Sequence, residues 1–326
     1  MASMYFNEAL REALQEEMRE DESVILYGQD AGIYGGMFRV TQGLAAEFGS
    51  SRVKDSPISE AAMTGVAIGA AMMGLRPICE IMFMDWISIT MEQLVNHAAA
   101  LRYGYGGNCK VPMVLRCPLG AYGGGALHHS KSLESWLAHI PGLKVVMPST
   151  PSDAKGLLKA AIRDDNPVIF LEHKLLYGTS GEAGDKNHIV PIGKADVKRE
   201  GSDVTIIATG KMVLDSLAAA EQLQADDISC EVIDLRTIVP LDKECIVSSV
   251  KKTHRAVVVH EAWKTCGHGA EVAAVLMEEA FDYLDAPVLR VAGLDCQIPF
   301  SLPLEKVVIP GTQKIVEAVR ATVNGD

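Results

Sequence analysis

The sequence lacks the features of a membrane protein, a secreted protein or a nucleic-acid-binding protein. No apolar run approaches the roughly 20 residues that span a bilayer. The first residues contain neither the basic stretch nor the apolar block of a secretion signal. No extended run of lysine or arginine occurs, and a net charge of −12 opposes binding to a phosphate backbone. These absences predict a cytoplasmic protein that contacts neither membranes nor nucleic acids.

Paired cysteine motifs are also missing. The seven cysteines are scattered along the chain and form no Cys-x-x-Cys pair. An odd, unclustered set predicts reduced thiols, lying mostly in the core, rather than a disulfide framework. The same pattern gives little support for a cysteine-based zinc site.

The chain is long and apolar enough to form two domains with large cores. It has 326 residues, of which 48% are hydrophobic and 22% are charged, a balance that excludes disorder. Short apolar segments alternate with helical patterns in two series, and a stretch rich in Gly, Ser, Lys and Pro separates the series. The predicted fold is therefore α/β, with two three-layer α/β/α domains around mainly parallel sheets.

The alternation of these segments sets the predicted boundaries. We predict a first domain at 1–180, a linker at 181–196 and a second domain at 197–326. The predicted strands are 24–27, 77–83, 111–117, 144–147, 167–172, 204–208, 230–234, 256–260 and 288–292. The predicted helices are 6–19, 61–73, 86–102, 152–163, 213–224, 243–251, 270–280 and 315–323. A glycine-rich loop at 120–125 follows the predicted strand 111–117 within the first series.

Several strings of residues carry a family resemblance. They are Asp55–Glu60, Gly69–Pro77, Pro141–Val146, Ala161–Pro167 and Asp234–Thr237, in this order along the chain. Together they resemble the β subunits of pyruvate, branched-chain 2-oxo acid and acetoin dehydrogenases, and several strings in one order are more specific than any single motif. The resemblance implies an N-terminal pyrimidine-binding domain, a C-terminal transketolase-type domain, and thiamine diphosphate bound between an α and a β subunit.

The resemblance also implies partners. Family members form α2β2 heterotetramers and pass an acyl group to a lipoyl acyltransferase. Because large apolar interfaces left uncovered tend to associate, we expect the chain to form a β homodimer when the α subunit is missing. The α subunit holds the diphosphate and Mg²⁺ through a Gly-Asp-Gly motif. No Gly-Asp-Gly and no P-loop occur in this sequence. We therefore expect the chain to form half of an active site and to be active only with an α subunit.

Glu60 is the first candidate for catalysis and for cofactor binding. It matches the family glutamate that hydrogen-bonds a pyrimidine nitrogen and favours the imino tautomer. By position alone, a glutamate at a helix start is more often a residue stabilised by the helix dipole. Met82 and Trp86 match positions that pack on the pyrimidine, although bare apolar residues in such segments are more often core.

His129 is the second catalytic candidate. It matches the family histidine before a serine, which supplies a proton donor near the reacting carbon or guides the acyl group. Its neighbour His128 stands where many relatives have glutamine, so both histidines are candidates for substrate contact. Gln29 departs from the glutamate that often follows the first strand.

A possible potassium site is the remaining candidate. Some relatives bind K⁺ through oxygen atoms at positions that match Met113, Ala161, Ile162, Asp164 and Asn166. Backbone carbonyls with one carboxylate and one amide oxygen suit a hard monovalent cation. Asp164 and Asn166 equally suit a turn before Pro167.

The resemblance favours an oxidoreductase of the pyruvate dehydrogenase type, which decarboxylates a 2-oxo acid and passes the acyl group to lipoamide. Two other enzyme functions stay open: an acetoin dehydrogenase, and a carboligase or transketolase-like enzyme with the same cofactor. A scaffold that only docks partners is a third alternative, and the presence of Glu60 and His129 argues against it.

Overall fold

The computed structural model describes residues 3–325 and divides them into two compact units. The first unit comprises residues up to Leu119 together with Trp136–Ile192. The second comprises Gly120–Ser135 and the chain from Gly193 onward. The segment Gly120–Ser135 therefore belongs to the second unit, which the sequence pattern does not predict. The predicted domain boundaries themselves stay a prediction.

Up to residue 182 the chain contains eight strands and seven α-helices among the described residues. In chain order they are β1 (Ser3–Tyr5), α1 (Phe6–Glu20), β2 (Val24–Gly28), α2 (Leu44–Phe48), β3 (Val53–Asp55), α3 (Glu60–Met72), β4 (Arg76–Glu80), α4 (Ile87–Glu92), α5 (Ala99–Gly104), β5 (Val114–Leu119), α6 (Glu134–Ala138), β6 (Lys144–Val146), α7 (Pro151–Arg163), β7 (Val168–His173) and β8 (Ser180–Glu182). The first unit's sheet has the strand order β6-β7-β5-β4-β2-β3, and every pair in this run is parallel.

Both faces of this sheet are covered. Every residue of β5 and β7 is buried, although successive side chains point to opposite faces. Helices α1 and α7 pack against each other, and two ion pairs join them: Lys155 with Glu12, and Lys159 with Glu16. Helix α7 begins where Thr150 accepts a hydrogen bond from the Asp153 backbone N–H.

The helix predicted at 86–102 is not regular. It starts with a 3₁₀ turn at Met84–Trp86, continues as α4, widens into a π-helical segment at Gln93–Ala98 and ends as α5. Such a widened segment is a local feature that hydrophobic periodicity does not predict. The prediction of a helix in this region is confirmed, and the prediction of a single regular helix is wrong.

The second unit is built around another largely parallel sheet. Its remaining elements are β9 (Asp196–Arg199), β10 (Val204–Ala208), α8 (Lys211–Leu223), β11 (Cys230–Asp234), β12 (Thr237–Val239), α9 (Lys243–Thr253), β13 (Ala256–Trp263), α10 (Gly269–Glu279), β14 (Leu289–Gly293), α11 (Leu302–Val308) and α12 (Thr312–Asn324). The sheet order is β14-β13-β10-β11-β9, in which only β9 is antiparallel among the described strands.

Alternation along β10 shows that this sheet lies between two helical layers. Ile206 packs with residues of α8 and α12, whereas its neighbour Ile207 packs with residues of α9 and α10. The predicted α/β fold with mainly parallel sheets is confirmed. No helix described between residues 3 and 325 is long and apolar enough to cross a bilayer.

All seven cysteines are free thiols. Three of them are buried, two are half-buried and two are exposed, so the prediction that most lie in the core is wrong. The buried ones are Cys79, Cys117 and Cys230.

Candidate active site

The carboxyl edge of the first sheet collects the residues predicted to bind the cofactor. Strands β2 and β4 are parallel neighbours, and Gly28 is paired with Glu80 at their ends. A Cβ atom on Gly28 would lie 2.9 Å from the Cβ of Glu80, so only glycine allows the strands to approach this closely here. Helix α3 leads back to the start of β4, which places its N-terminus at the same edge.

Glu60 is the first residue of α3 and is 4% exposed. Its Oε1 accepts a hydrogen bond of 3.1 Å from Nε2 of Gln29, the residue that follows β2. Among residues 3–325, no donor contacts the other carboxylate oxygen. The geometry leaves the second oxygen of Glu60 available to a hydrogen-bonding ligand such as a ring nitrogen.

Met82 and Trp86 lie in the segment that follows β4, at the same sheet edge. Both are half-buried, whereas Phe83 and Met84 between them are buried. A thioether and an indole face that are partly exposed at such an edge suit contact with a flat aromatic ligand. The structure thus brings Glu60, Met82 and Trp86 to one edge of one sheet.

His128 and His129 belong to the second unit. They lie in the loop Gly120–Ser135, where His128 ends a 3₁₀ turn and is exposed, and His129 is half-buried. Two glutamates hold this loop through its backbone. Glu261 accepts a 2.7 Å hydrogen bond from the Ala121 N–H, and Glu305 accepts bonds of 3.1 and 3.0 Å from the next glycines, Gly123 and Gly124.

These two anchoring glutamates are not predicted from the sequence. Glu261 stands in β13 and Glu305 in α11, more than a hundred residues after the loop. The available signal is the glycine-rich loop itself, because exposed backbone N–H groups in such a loop need acceptors.

The residues predicted for potassium lie at the opposite, amino-terminal edge of the first sheet. The carbonyl oxygens of Ile162 and Asp164 both accept from the same nitrogen of Arg76 at 3.0 Å, so these two oxygens converge. The carbonyls of Met113 and Ala161 each accept one backbone N–H. A carbonyl oxygen has two lone pairs, so each of the four keeps one for a further ligand.

The side chains of this cluster are already paired. Asp164 accepts from the Nζ of Lys144 and from the amide of Asn166, and the Oδ1 of Asn166 accepts from Arg102 at 2.5 Å. Although burial opposes it, the hydrogen bonds from Lys144 and Asn166 hold the pKa of the Asp164 carboxyl below its usual value. The carbonyls therefore fit a cation better than the two side-chain oxygens do.

Comparison with known proteins identifies the family of both units. Residues 2–179 match the transketolase pyrimidine-binding domain, and residues 193–315 match the transketolase C-terminal domain. A solved structure described as a split-gene transketolase, an inactive β4 tetramer, superposes with a TM-score of 0.82 over 98% of this chain and 99% of that chain. Its sequence identity is 24%, so this likeness shows the fold alone.

Relatives of known name extend over nearly the whole chain. The pyruvate dehydrogenase E1 component subunit beta of Rickettsia felis is 48% identical over 96% of this chain and 96% of its own length. The corresponding subunit of Rhizobium meliloti is 48% identical over 98% of this chain and 70% of its own length. The 2-oxoisovalerate dehydrogenase subunit beta of Bacillus subtilis is 46% identical over 98% of both chains.

These matches confirm the family predicted from the ordered strings of residues. Both domains, their order and the coverage of full-length relatives agree. The chain belongs to the family of β subunits of thiamine-diphosphate-dependent 2-oxo acid dehydrogenases.

Proposed function

We propose that this chain forms the pyrimidine-binding half of an active site that an α subunit completes, and that the assembled enzyme decarboxylates pyruvate and passes the acetyl group to lipoamide. The relatives named as pyruvate dehydrogenase subunits support the substrate. The single observation that carries the proposal is the buried Glu60 carboxylate, which is held on one oxygen and open on the other.

Thiamine diphosphate supplies, when bound, a carbanion that attacks the 2-oxo group and stores the electrons of the broken carbon–carbon bond. Glu60 would hold a proton at a ring nitrogen of its pyrimidine. Gln29 fixes the Glu60 carboxylate in direction, because its amide donates to only one of the two oxygens. Because Glu60 is 4% exposed, little water would reach this contact, and a proton would be held between the carboxylate and the ring.

The neighbouring residues suit binding rather than proton transfer. Met82 and Trp86 offer apolar surface at the sheet edge on which a pyrimidine ring packs. His128 and His129 would contact the substrate from the loop of the second unit, where an imidazole can donate a hydrogen bond at neutral pH. The anchoring by Glu261 and Glu305 supports this role, because it holds the backbone beside the histidines.

An α partner would hold the diphosphate and Mg²⁺, because the chain contains no Gly-Asp-Gly. We propose an α2β2 heterotetramer with β–β contacts, which also binds a lipoyl acyltransferase. Apolar side chains on α3 support the presence of partners. Val66 is 60% exposed and Met73, directly after the helix, is 85% exposed. Large apolar residues at such exposure mark surfaces that other chains cover.

A potassium ion at the amino-terminal edge is also proposed. The carbonyls of Met113, Ala161, Ile162 and Asp164 would hold it, with Asn166 supporting the turn. Its role would be structural, since these residues join the start of β7 to the end of α7. Cytoplasmic location remains a prediction of the sequence.

The test of Glu60 uses the chain purified together with its α subunit. We expect Glu60→Gln to lower the rate of dye reduction with pyruvate by about 10²- to 10⁴-fold, the usual contribution of a positioned acid–base group. The matched control is Glu22→Gln, because Glu22 is an exposed glutamate of the same unit. Full activity of the Glu60 variant would overturn the catalytic assignment.

The substrate is tested in the same assay. Rates with pyruvate, 2-oxoisovalerate and acetoin are compared at equal concentration. Relatives at 46–48% identity include both pyruvate dehydrogenase and 2-oxoisovalerate dehydrogenase β subunits. Preference for 2-oxoisovalerate or acetoin would move the chain to those branches of the family. Turnover of a carbonyl acceptor without any lipoyl protein would favour the carboligase alternative.

A further inference from the structure

Three buried side chains that have no part in the proposed mechanism meet inside the second unit. Glu134 starts α6, His260 stands in β13, and His268 immediately precedes α10. One possible ligand atom of each lies within 4.8 Å of those of the other two. Their exposures are 1%, 0% and 7%, respectively. Two imidazoles and a carboxylate that are buried to this extent need partners that offset the free-energy cost of removing them from water.

Hydrogen bonds within the described chain do not supply those partners. Neither ring nitrogen of His260 has a hydrogen-bond partner among residues 3–325, and neither does Nδ1 of His268 or Oε2 of Glu134. A buried polar atom without a partner destabilises the folded chain, and four such atoms in one cluster are unusual. A ligand that accepts one lone pair from each of the three side chains gives a partner to His268 Nδ1 and to one nitrogen of His260.

His268 is oriented as a metal-binding histidine is. Its Nε2 lies 3.3 Å from Oγ1 of Thr209, and its Nδ1 lies 3.3 Å from Oε1 of Glu134. With the Nε2 proton donated to Thr209, Nδ1 carries a lone pair beside the carboxylate. Metal-bound histidines commonly donate their second N–H in this way.

Glycines on both sides of His268 make room for the ring of His260. A Cβ atom on Gly267 would lie 2.3 Å from that ring, and one on Gly269 would lie 2.5 Å from it, so only glycine leaves room for the imidazole at these two positions. The ring is therefore packed closely where the three side chains meet.

We propose that Glu134, His260 and His268 bind one divalent transition-metal ion, with zinc as the ion that this donor set favours. Two imidazole nitrogens and one carboxylate oxygen are a common set of zinc ligands. Mg²⁺ and Ca²⁺ prefer oxygen ligands to imidazole nitrogens. At zinc–ligand distances of about 2.0–2.2 Å, tetrahedral neighbours are roughly 3.3–3.5 Å apart. The 3.3 Å between His268 and Glu134 already has this spacing, and the possible ligand atoms of all three side chains lie within 4.8 Å of one another.

The ion would join the loop Gly120–Ser135 to the core of the second unit. Glu134 lies at the end of this loop, whereas His260 and His268 flank a turn between β13 and α10. The metal would thus fix the loop that carries His128 and His129, beyond the backbone hydrogen bonds to Glu261 and Glu305. Its binding is measured without substrate, so the test is independent of the proposed function.

The experiment is a Co²⁺ titration of the full chain, purified with its α subunit, stripped with EDTA and kept free of Mg²⁺. We expect saturation at one Co²⁺ per β chain with visible absorption bands of a four-coordinate site, displacement of Co²⁺ by Zn²⁺, and a higher melting temperature with Zn²⁺. Absence of saturable binding overturns the proposal.

Variants show whether binding is at this cluster. Glu134→Gln and His268→Gln should each weaken Co²⁺ binding by more than about tenfold. The matched controls are Glu92→Gln and His97→Gln, since this exposed pair has the same 3.3 Å separation on the surface. Equal affinity in cluster variants and controls would show adventitious binding and overturn the proposal. If a cluster variant does not fold, the stoichiometry and spectrum of the unmodified chain still decide.

Discussion

Replacement of Arg116 is the most demanding test of how the first unit is held together. Arg116 lies in β5 and is fully buried. Its Nε and Nη2 donate to the two oxygens of Glu172 at 2.7 Å each, and its Nη1 donates to Glu80 at 2.5 Å. The hydroxyl of Tyr177 donates to Glu172 as well. One guanidinium therefore neutralises two buried carboxylates on the neighbouring strands β4 and β7.

Arg116→Met keeps most of the volume but removes the charge and three charge-assisted hydrogen bonds. Breaking a buried ion pair from one side costs about 3–5 kcal/mol, because the remaining charge is left desolvated. Here two carboxylates are left, so we expect a loss of about 4 kcal/mol or more at neutral pH, limited by their protonation.

The pH dependence has a definite sign. Burial first, and then the charge of Glu172, raise the pKa of Glu80 even with Arg116 beside it. Between the ordinary glutamate pKa and this raised value, the folded chain binds a proton that the unfolded chain has lost. Stability therefore falls as pH rises through this window, by up to about 1.4 kcal/mol per pH unit for each such proton. Without Arg116 the pKa of Glu80 is raised further. The loss in free energy of unfolding should therefore be smallest at mildly acidic pH, roughly 5.5, and largest at mildly basic pH, roughly 8.

The assay is urea unfolding followed by tryptophan fluorescence in a Trp263→Phe background, which leaves Trp86 and Trp136 as reporters of the first unit. The control is Arg19→Met, because Arg19 makes a similar two-bond pair with Glu47 on the surface, 57% exposed on the arginine side. Such exposed pairs contribute about 0–1 kcal/mol. Equal losses in both variants, or a buried-site loss that does not grow with pH, would refute the reasoning.

Two further predictions concern other parts of the first unit. Burial opposes ionisation of Glu16, but Lys159 holds the pKa of its carboxyl below the usual value. The ionised Glu16 therefore stabilises the fold above the ordinary glutamate pKa, and this stability is lost as pH falls through the lowered pKa. We expect Glu16→Gln to flatten the acid side of a profile of melting temperature against pH. Gly142 has φ +100°, and a Cβ there would lie 2.3 Å from the carbonyl oxygen of Ala99. Gly74 has a similar φ of +94°, but nothing lies within 4 Å of a Cβ at that position. We expect Gly142→Ala to lower the free energy of unfolding in urea by more than Gly74→Ala does.

Either result can fail clearly. An unchanged acid limb in the Glu16 variant would show that the carboxylate has the same proton affinity in the folded and unfolded chain. Equal losses at Gly142 and Gly74 would show that only the left-handed backbone matters and that the close approach to Ala99 relaxes without cost.

The regular parts of the fold are predictable because their periodicity is strong. Strands predicted at 204–208 and 230–234 match β10 and β11, since both are short segments with β-branched residues at their centres and every residue buried. The short β3, β8 and β9 were not predicted. They have three or four residues each and are mostly exposed or half-buried, so no apolar pattern marks them.

The candidate site was predictable by resemblance and not by pattern. Nothing in the periodicity of α3 distinguishes Glu60 from a surface glutamate, and only the surrounding strings single it out. The cluster of Glu134, His260 and His268 has no sequence signal across 126 residues of separation, because tertiary folding alone brings a loop, a strand and a helix start together. Assignment of Gly120–Ser135 to the second unit is missed for the same reason.

The arrangement of α3 links the incomplete site to assembly. The helix begins with Glu60, whose second carboxylate oxygen accepts no hydrogen bond from residues 3–325. The same helix carries Val66 at 60% exposure and ends beside Met73 at 85%. One rigid element thus presents both an unmet hydrogen-bond acceptor and an uncovered apolar surface. Because a helix moves as a unit, a partner that covers the apolar side also fixes the direction of the carboxylate, and a cofactor that satisfies the carboxylate stiffens the surface on which the partner docks. We therefore infer that cofactor binding and subunit association strengthen each other through α3.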